Sequence, residues 1–391
     1  MSSFDHGTVA EAIRQYGPDY LANGGVTREV RRLMAVLSLC RTSALGGHLH
    51  RCSHCGHEQP RYNSCGNRHC PNCQAFAREK WLMKQEQSLL DLPYFHMVFT
   101  LPSALQPLIL QNKHTLYNLL FKTVADTLMT FGKDPRHGLE GQLGFTSVLH
   151  TWDQRLGPHA HLHVLIPAGA LAKDGKTFRQ APDRKWIFPV RALSTVYRAL
   201  FVKRLRALWE KKGLEFHGQL EPLWQKEAFT GLLNGLFEKD WVVYAKRPFG
   251  GPEAVLAYLG RYTHRVGISN ARILSVDERG VTFSARDKKD PSKKSRVTLS
   301  GVEFLRRFFL HVLPSGFPRI RHYGYLGNSV RQKRIPLIRN HLGQPTPPDS
   351  EETVSDRMTR TFGAPPDACP ACKKGRLHPV GLIPKCHDPP V

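Results

Sequence analysis

The run GPHAHLHVLIPAG carries two histidines flanking one apolar residue, His161-Leu162-His163. Successive side chains of an extended strand point to opposite faces, so His161 and His163 share a face while Leu162, Val164 and Ile166 fill the other. Unpartnered polar groups are costly to bury, so two imidazoles one pleat apart in so apolar a strand read as a grip for a divalent ion. A third ligand is needed. His150 lies 11 residues before His161 and faces the same ion if the two strands pair. Gln154, Asp153 and His159 are the alternatives. The second grouping is Tyr258-Leu259-Gly260-Arg261-Tyr262. On a helix, positions i and i+4 lie on one face, so both phenols address one site. Arg261 and Arg265 repeat the spacing on a neighbouring face, suited to clamping phosphates. A phenol with a pKa of about 10 is a poor nucleophile at neutral pH. A divalent cation that polarises a phosphodiester lets a positioned phenol attack, giving a 5′-phosphotyrosine and a free 3′-OH. Imidazole ligands suit several divalent ions, so they leave the metal's identity open.

The cysteines form a second chemistry. Cys52-x2-Cys55 and Cys70-x2-Cys73 are separated by 14 residues, and two such knuckles complete a tetrahedral S4 zinc site. A closed four-ligand site has no place for a reacting water, so its role is structural. A further cluster, Cys369-x2-Cys372 with Cys386 and either His387 or His378, is a candidate second zinc site. Cys40 lies at core spacing with Val30, Leu33, Met34 and Leu37 and reads as a buried structural thiol. Paired cysteines with no signal segment point to metal binding in a reducing cytoplasm rather than to disulfides.

The elements that must position these groups are legible in part. Thr8 to Glu11 is a capping box, with a short helix to about Tyr16. Residues 28–42 and 76–91 read as helices around a loop-rich segment at 46–75. His96 to Leu101, Phe145 to Trp152, His161 to Pro167 and Trp241 to Ala245 read as strands, and 103–131 and 190–212 as helices. Pro252 to Val266 is the tyrosine helix. Three short strands at 272–276, 281–285 and 297–299 form a meander. The organisation expected is a helical N-terminus and zinc-binding domain at 1–90, a nuclease domain at 91–345, and a Pro-rich linker with the last cysteines at 346–391.

Charge narrows the partner. The 391 residues hold 56 Lys and Arg against 32 Asp and Glu, a formal net charge of +24, which suits a polyanion such as nucleic acid. No apolar run approaches the length of a membrane span, which argues against a membrane protein. Between Phe304 and Pro348 there are eight Arg or Lys and no acid. There Arg319, Arg321 and Tyr323 are DNA-binding candidates, whereas Phe308 and Phe309 belong to the core.

As a set, these features resemble a known family. His161-Leu162-His163 is similar to the HUH signature of single-strand endonucleases, and Tyr258 and Tyr262 to the tyrosine pair of its two-tyrosine branch. With the N-terminal CxxC pairs, the segments LHTWDQRLGPHAHLHVL, YLGRYTHRVGIS and FLRRFFLHVLPSGFPRIRHYGYL resemble rolling-circle transposases of the insertion-sequence ninety-one type, over roughly residues 10 to 345. The resemblance implies an α+β fold in which a central antiparallel sheet with flanking helices follows a small zinc-binding domain. It implies a bacterial, cytoplasmic enzyme that nicks single-stranded DNA at transposon ends, with Mg²⁺ or Mn²⁺ at His161 and His163, nucleophiles Tyr258 and Tyr262, and no small-molecule substrate. The His150 spacing is similar to the three-histidine site of relaxases. Competing readings are a rolling-circle replication initiator or relaxase, a non-catalytic zinc-dependent DNA-binding regulator, and a hydrolase that activates water.

Overall fold

The computed structural model describes residues 7–182, 187–249, 251–262, 267–287, 290, 292–346 and 352–386. The N-terminal part runs α1 (Val9–Ala22), α2 (Arg28–Ser38), β1 (Gly47–Cys52), β2 (Glu58–Tyr62) and α3 (Gln74–Glu86). The middle runs β3 (Tyr94–Thr100), α4 (Gln106–Gln111), α5 (Lys113–Lys133), β4 (Gly141–Trp152), β5 (Pro158–Pro167), β6 (Gly169–Ala172), β7 (Phe178–Gln180), α6 (Val190–Glu210), α7 (Lys226–Gly235), β8 (Val243–Phe249) and α8 (Pro252–Tyr262). The remainder runs β9 (Ile273–Asp277), β10 (Gly280–Arg286), β11 (Lys294–Leu299), α9 (Gly301–Leu310), β12 (Ile320–Gly324), α10 (Arg331–His341), α11 (Val354–Phe362) and β13 (Leu377–Ile383).

The central sheet is antiparallel, in the order β7-β6-β4-β5-β3-β8, with β12 pairing the middle of β4. Period-2 patterning explains its two faces. Phe95, Met97 and Phe99 of β3, Phe145 and Leu149 of β4, and Leu162, Val164 and Ile166 of β5 all enter one large core under α5 and α6. The alternate residues Tyr94 and Leu165 pack instead with Leu82 of α3 and with Val255, Leu256, Tyr258 and Leu259 of α8. The sheet is thus covered by helices on both faces, with the tyrosine helix on the side of His161 and His163. This is the α+β architecture expected.

The meander pairs as β11-β10-β9. It buries Ile273, Val281 and Phe283 against Phe304, Leu305 and Phe308 of α9 and against Val9, Ile13, Leu33 and Leu37 of the first two helices. Phe308 and Phe309 are core residues here, as their apolar spacing predicts. Thr8 caps α1 through a capping box with Glu11. The helix does not stop near Tyr16 but continues through Pro18 to Ala22, with Gly17 close-packed on Met34. The C-terminal strand β13 returns across the molecule to pair with β1, forming a separate sheet in the order β13-β1-β2.

Candidate histidine–tyrosine centre and cysteine clusters

Pairing of β4 with β5 sets His150 directly opposite His161, and pairing of β3 with β5 sets Val98 opposite His163. Directly paired residues share a face, so the register alone brings three imidazoles together. One ring nitrogen of each of His150, His161 and His163 lies within 4.8 Å of the others. His161 Nε2 and His163 Nε2 are 3.1 Å apart. His161 Nδ1 lies 2.8 Å from the His159 carbonyl, an acceptor only, so Nδ1 donates and Nε2 keeps a lone pair facing the centre. Burial lowers the His161 pKa to about 4 and holds His163 well below its ordinary range, with neighbouring histidines adding to both. Both rings are therefore neutral at physiological pH, the form that binds metal. Trp152 stacks on His150 at 4.7 Å and limits its tilt.

Beside this centre lies a residue that motif reading missed. His96 of β3 lies on the same face, one pleat from Val98. Its Nε2 is 3.0 Å from His163 Nδ1 and 2.5 Å from the Tyr258 hydroxyl. The Tyr258 hydroxyl is also 2.8 Å from His163 Nδ1. Tyr258 thus stands at the outer nitrogen of a histidine whose inner nitrogen faces His161. Burial is the main cause lowering the His96 pKa to about 3. A histidine within the largely apolar strand YFHMVFT was the available signal. Tyr262 and Arg261 lie on α8 one turn further and beside, and their side chains fall outside the described residues, as does all of Arg265. Among the other ligand alternatives, Asp153 accepts backbone amides of Arg155 and Gly157 in the turn after β4.

The cysteines divide differently from their spacing. Cys52 and Cys55 do not join Cys70 and Cys73. One cluster gathers Cys40, Cys65, Cys70 and Cys73; the other gathers Cys52, Cys55, Cys369 and Cys372. The reason is β1, the central strand of its sheet, which sets the first CxxC beside β13, while Cys70 and Cys73 open α3 beneath α2. Cys40 is a member of the first cluster rather than a lone core thiol. Cys386 is exposed and outside both groups, and His387 lies outside the described residues. Within the first cluster, Sγ–Sγ distances are 3.6 Å for Cys40–Cys73, 3.6 Å for Cys65–Cys73 and 3.4 Å for Cys70–Cys40. A tetrahedral zinc site with bonds of about 2.3 Å has sulfur–sulfur edges of about 3.8 Å, so the spacing fits. The electrostatics agree. Donation from Cys70 lowers Cys40 to about 5, while the same bond raises Cys70 and burial pushes Cys65 up to about 12. Four thiolates this close need a cation to ionise together.

The basic candidates have distinct settings. Arg319 joins Arg68, Gln74, Thr151, Trp152 and His311 around a cavity of about 200 Å³ between the Cys70 loop and the end of β4. Burial and then Arg68 lower its guanidinium to about 10. Arg321 turns inward: it donates to Asn118 Oδ1 at 2.6 Å and lies 4.1 Å over Phe121. Tyr323 stacks on Phe145 at 5.0 Å, next to the main core.

Comparison with known proteins gives two family matches. Residues 144–334 match the family described as "Putative transposase", and residues 12–101 match "Transposase zinc-binding domain". The chain is 42% identical over 387 residues to "Putative transposase y4qJ" of Sinorhizobium fredii (strain NBRC 101917 / NGR234), covering 98% of this chain and 97% of that one. It is 30% identical over 363 residues to "Transposase for insertion sequence element IS801" of Pseudomonas savastanoi pv. phaseolicola, covering 90% of this chain and 84% of that one. No solved structure matches.

Proposed function

This chain belongs to the insertion-sequence ninety-one (IS91) family of transposases, with that family's zinc-binding domain at its N-terminal end, and from this premise we propose that it cuts and rejoins single-stranded DNA through a tyrosine nucleophile beside the histidine centre. The observation that carries the reading is the Tyr258 hydroxyl 2.8 Å from His163, whose other ring nitrogen faces His161. His150, His161 and His163 would hold a Mg²⁺ or Mn²⁺ ion, which would supply positive charge to neutralise the scissile phosphate. His161 and His163 are held for this by the β4–β5 register and the His159 carbonyl. Tyr258 and Tyr262 supply the phenols.

In the cutting step a phenol oxygen forms a bond to phosphorus, the P–O3′ bond breaks, and the leaving oxygen takes a proton to become a 3′-OH. The phenol's own proton needs an acceptor. For Tyr258 the neutral His96 Nε2 at 2.5 Å accepts the hydroxyl's hydrogen bond, and because its lowered pKa keeps it from holding the proton, it serves as a relay toward solvent or the leaving 3′ oxygen. The bond energy stays in the 5′-phosphotyrosine, so a later 3′-OH rejoins strands without ATP, as rolling-circle transposition requires. Arg319 and Arg68 present positive charge at the end of β4, and Arg261 and Arg265 follow the tyrosine spacing as phosphate clamps. Arg321 and Tyr323, candidates for DNA contact, act first in packing. The cysteine clusters have the chemistry of structural zinc. No helix among the described residues is long and apolar enough to cross a membrane.

The test uses labelled single-stranded DNA carrying a candidate element end, with Mg²⁺ or Mn²⁺. A protein–DNA adduct that survives a denaturing gel is expected. The adduct disappears in the Tyr258→Phe/Tyr262→Phe double variant, and His161→Ala abolishes cleavage while DNA binding persists. Adducts that survive loss of both phenols refute the assignment. Cleavage with no adduct points to a hydrolase, and binding with neither points to a regulator.

A further inference from the structure

We propose that Cys52, Cys55, Cys369 and Cys372 hold one zinc ion of their own, and that this ion ties the two ends of the chain into a zinc ribbon separate from the Cys40 cluster. The family match for the zinc-binding domain ends at residue 101, so half of this site comes from outside it. Sγ–Sγ distances are 3.7 Å for Cys52–Cys372 and 3.8 Å for Cys55–Cys369. These equal the edge of about 3.8 Å expected for tetrahedral zinc–thiolate coordination. They are far beyond the roughly 2.05 Å of a disulfide, and all four cysteines are free. Sulfur ligands select zinc over the oxygen-seeking ions suited to the nuclease chemistry.

The two knuckles are alike in backbone as well as in sequence. The amide of Gly56 donates to the Cys52 carbonyl at 3.2 Å, and the amide of Lys373 to the Cys369 carbonyl at 3.0 Å. The residue after each second cysteine is left-handed, with φ of 69° at Gly56 and 58° at Lys373. Amides point at sulfur on both sides: His54 N to Cys52 Sγ and Gly375 N to Cys372 Sγ, each 3.4 Å. Gly375 is required by this approach, since a Cβ there would stand 2.4 Å from Cys52 Sγ. Two matching knuckles on the three-stranded sheet β13-β1-β2 make a ribbon whose strands come from opposite ends of the chain. Apolar packing contributes little, because Leu377 is the one buried apolar side chain grouped with Cys52 and Cys369. The ion therefore adds cohesion that apolar packing does not supply, beside the ladder between β13 and β1.

The staple has a mechanical consequence. It anchors the segment that includes α11, and α11 sends Arg357 into α3, 3.2 Å from Glu79 and paired with Glu86. Leu82 of α3 then packs on Tyr258 and Leu259 of α8. The ribbon thereby braces the helix that carries the tyrosines. This last step rests on the function proposed above, whereas the metal site does not.

The test needs no DNA. Zinc is counted in the full chain and in a Cys369→Ser/Cys372→Ser variant after both pass over a chelating resin that strips weak histidine sites. Two equivalents are expected in the native chain and one in the variant. One equivalent in the native chain, or no loss in the variant, overturns the proposal. A site-specific protease sequence placed at residues 347–351 then allows the chain to be cut. The C-terminal fragment should co-elute with the body in the native protein and separate in the variant. Should the variant be insoluble, the native cut chain decides alone. The fragment must leave when a strong chelator removes zinc and rebind when zinc is restored; retention throughout refutes the staple.

Discussion

Each of the two cysteine clusters gathers four thiols, but the packing around them differs. Cys40 and Cys70 are 3% and 2% exposed and sit in a core with Leu33, Leu37, Ile268 and Phe308. In the other cluster Cys52 and Cys369 are equally buried, at 4% and 1%, but Cys55 is exposed and the neighbourhood has almost no apolar support. The ligands differ in reach as well: Cys40 and Cys73 are 33 residues apart, Cys52 and Cys372 are 320. By the logarithmic scaling of loop closure, the longer loop costs about 2 kcal/mol more to close from an unfolded chain. Both clusters draw on distant segments, since the core around the first also takes in Ile268 and Phe308, but in the second the ligands themselves come from opposite ends of the chain. One is part of a core that happens to contain metal. The other is a fastening added to a finished body.

Removing a ligand from the buried cluster should have the largest effect. Cys40→Ser takes a sulfur from zinc and leaves a hydroxyl in an apolar core, so stability should fall by on the order of 4 kcal/mol, with one equivalent of zinc lost. Thermal melting and metal analysis check this. If Cys40→Ser melts no lower than Cys369→Ser, the contrast between the clusters fails. Kinetics sharpen the same contrast without mutation. A chromophoric chelator should draw zinc in two phases, the exposed ribbon giving it up faster by about tenfold, or about 1.4 kcal/mol in opening free energy. A single phase in the native chain would mean that both sites open together.

Acid gives the most graded effect. His311 lies beneath the first cluster's core, with Nε2 donating to the Leu156 carbonyl at 3.0 Å, and burial lowers its pKa to about 4. Burial likewise lowers His322 to about 4. The unfolded chain takes up these protons near pH 6.5 and the folded one does not until about pH 4. Their contribution to stability is thus present above pH 6.5 and lost as pH falls toward 4. Denaturant titrations across that window should show the fall, and His311→Gln should flatten it by up to about 1.4 kcal/mol per pH unit. An unchanged slope would show that this histidine is already charged in the fold.

Much of the histidine centre was legible because it is local. His161 and His163 are two residues apart on one strand, and His150 lies on the strand just before it, so alternation and one hairpin bring them together. Tyr258 was legible as a helix-face residue, but its partner His96 was not, since that contact depends on β3 lying beside β5 in the sheet. The cysteines misled for the same reason. Spacing favours the nearest pairs, Cys52–Cys55 with Cys70–Cys73, and has no way to weigh a partner 320 residues distant. Count was the better guide: of nine cysteines, two sites of four leave only Cys386 aside. Arg321 and Tyr323 followed the charge and aromatic pattern of a DNA surface, and Phe121, Asn118 and Phe145 hold them half-buried.

What the sequence determined by itself is the chemistry in hand: neighbouring imidazoles, phenols one helical turn apart, sulfur knuckles and a surplus of positive charge. Those depend on residue type and on periods of two and 3.6, which the chain carries wherever it goes. The tertiary structure alone decided which knuckle meets which and which histidine meets the phenol. Such pairings are set by strand order and by the return of β13 to β1, and the energy that selects them is spread across cores formed far from the ligands.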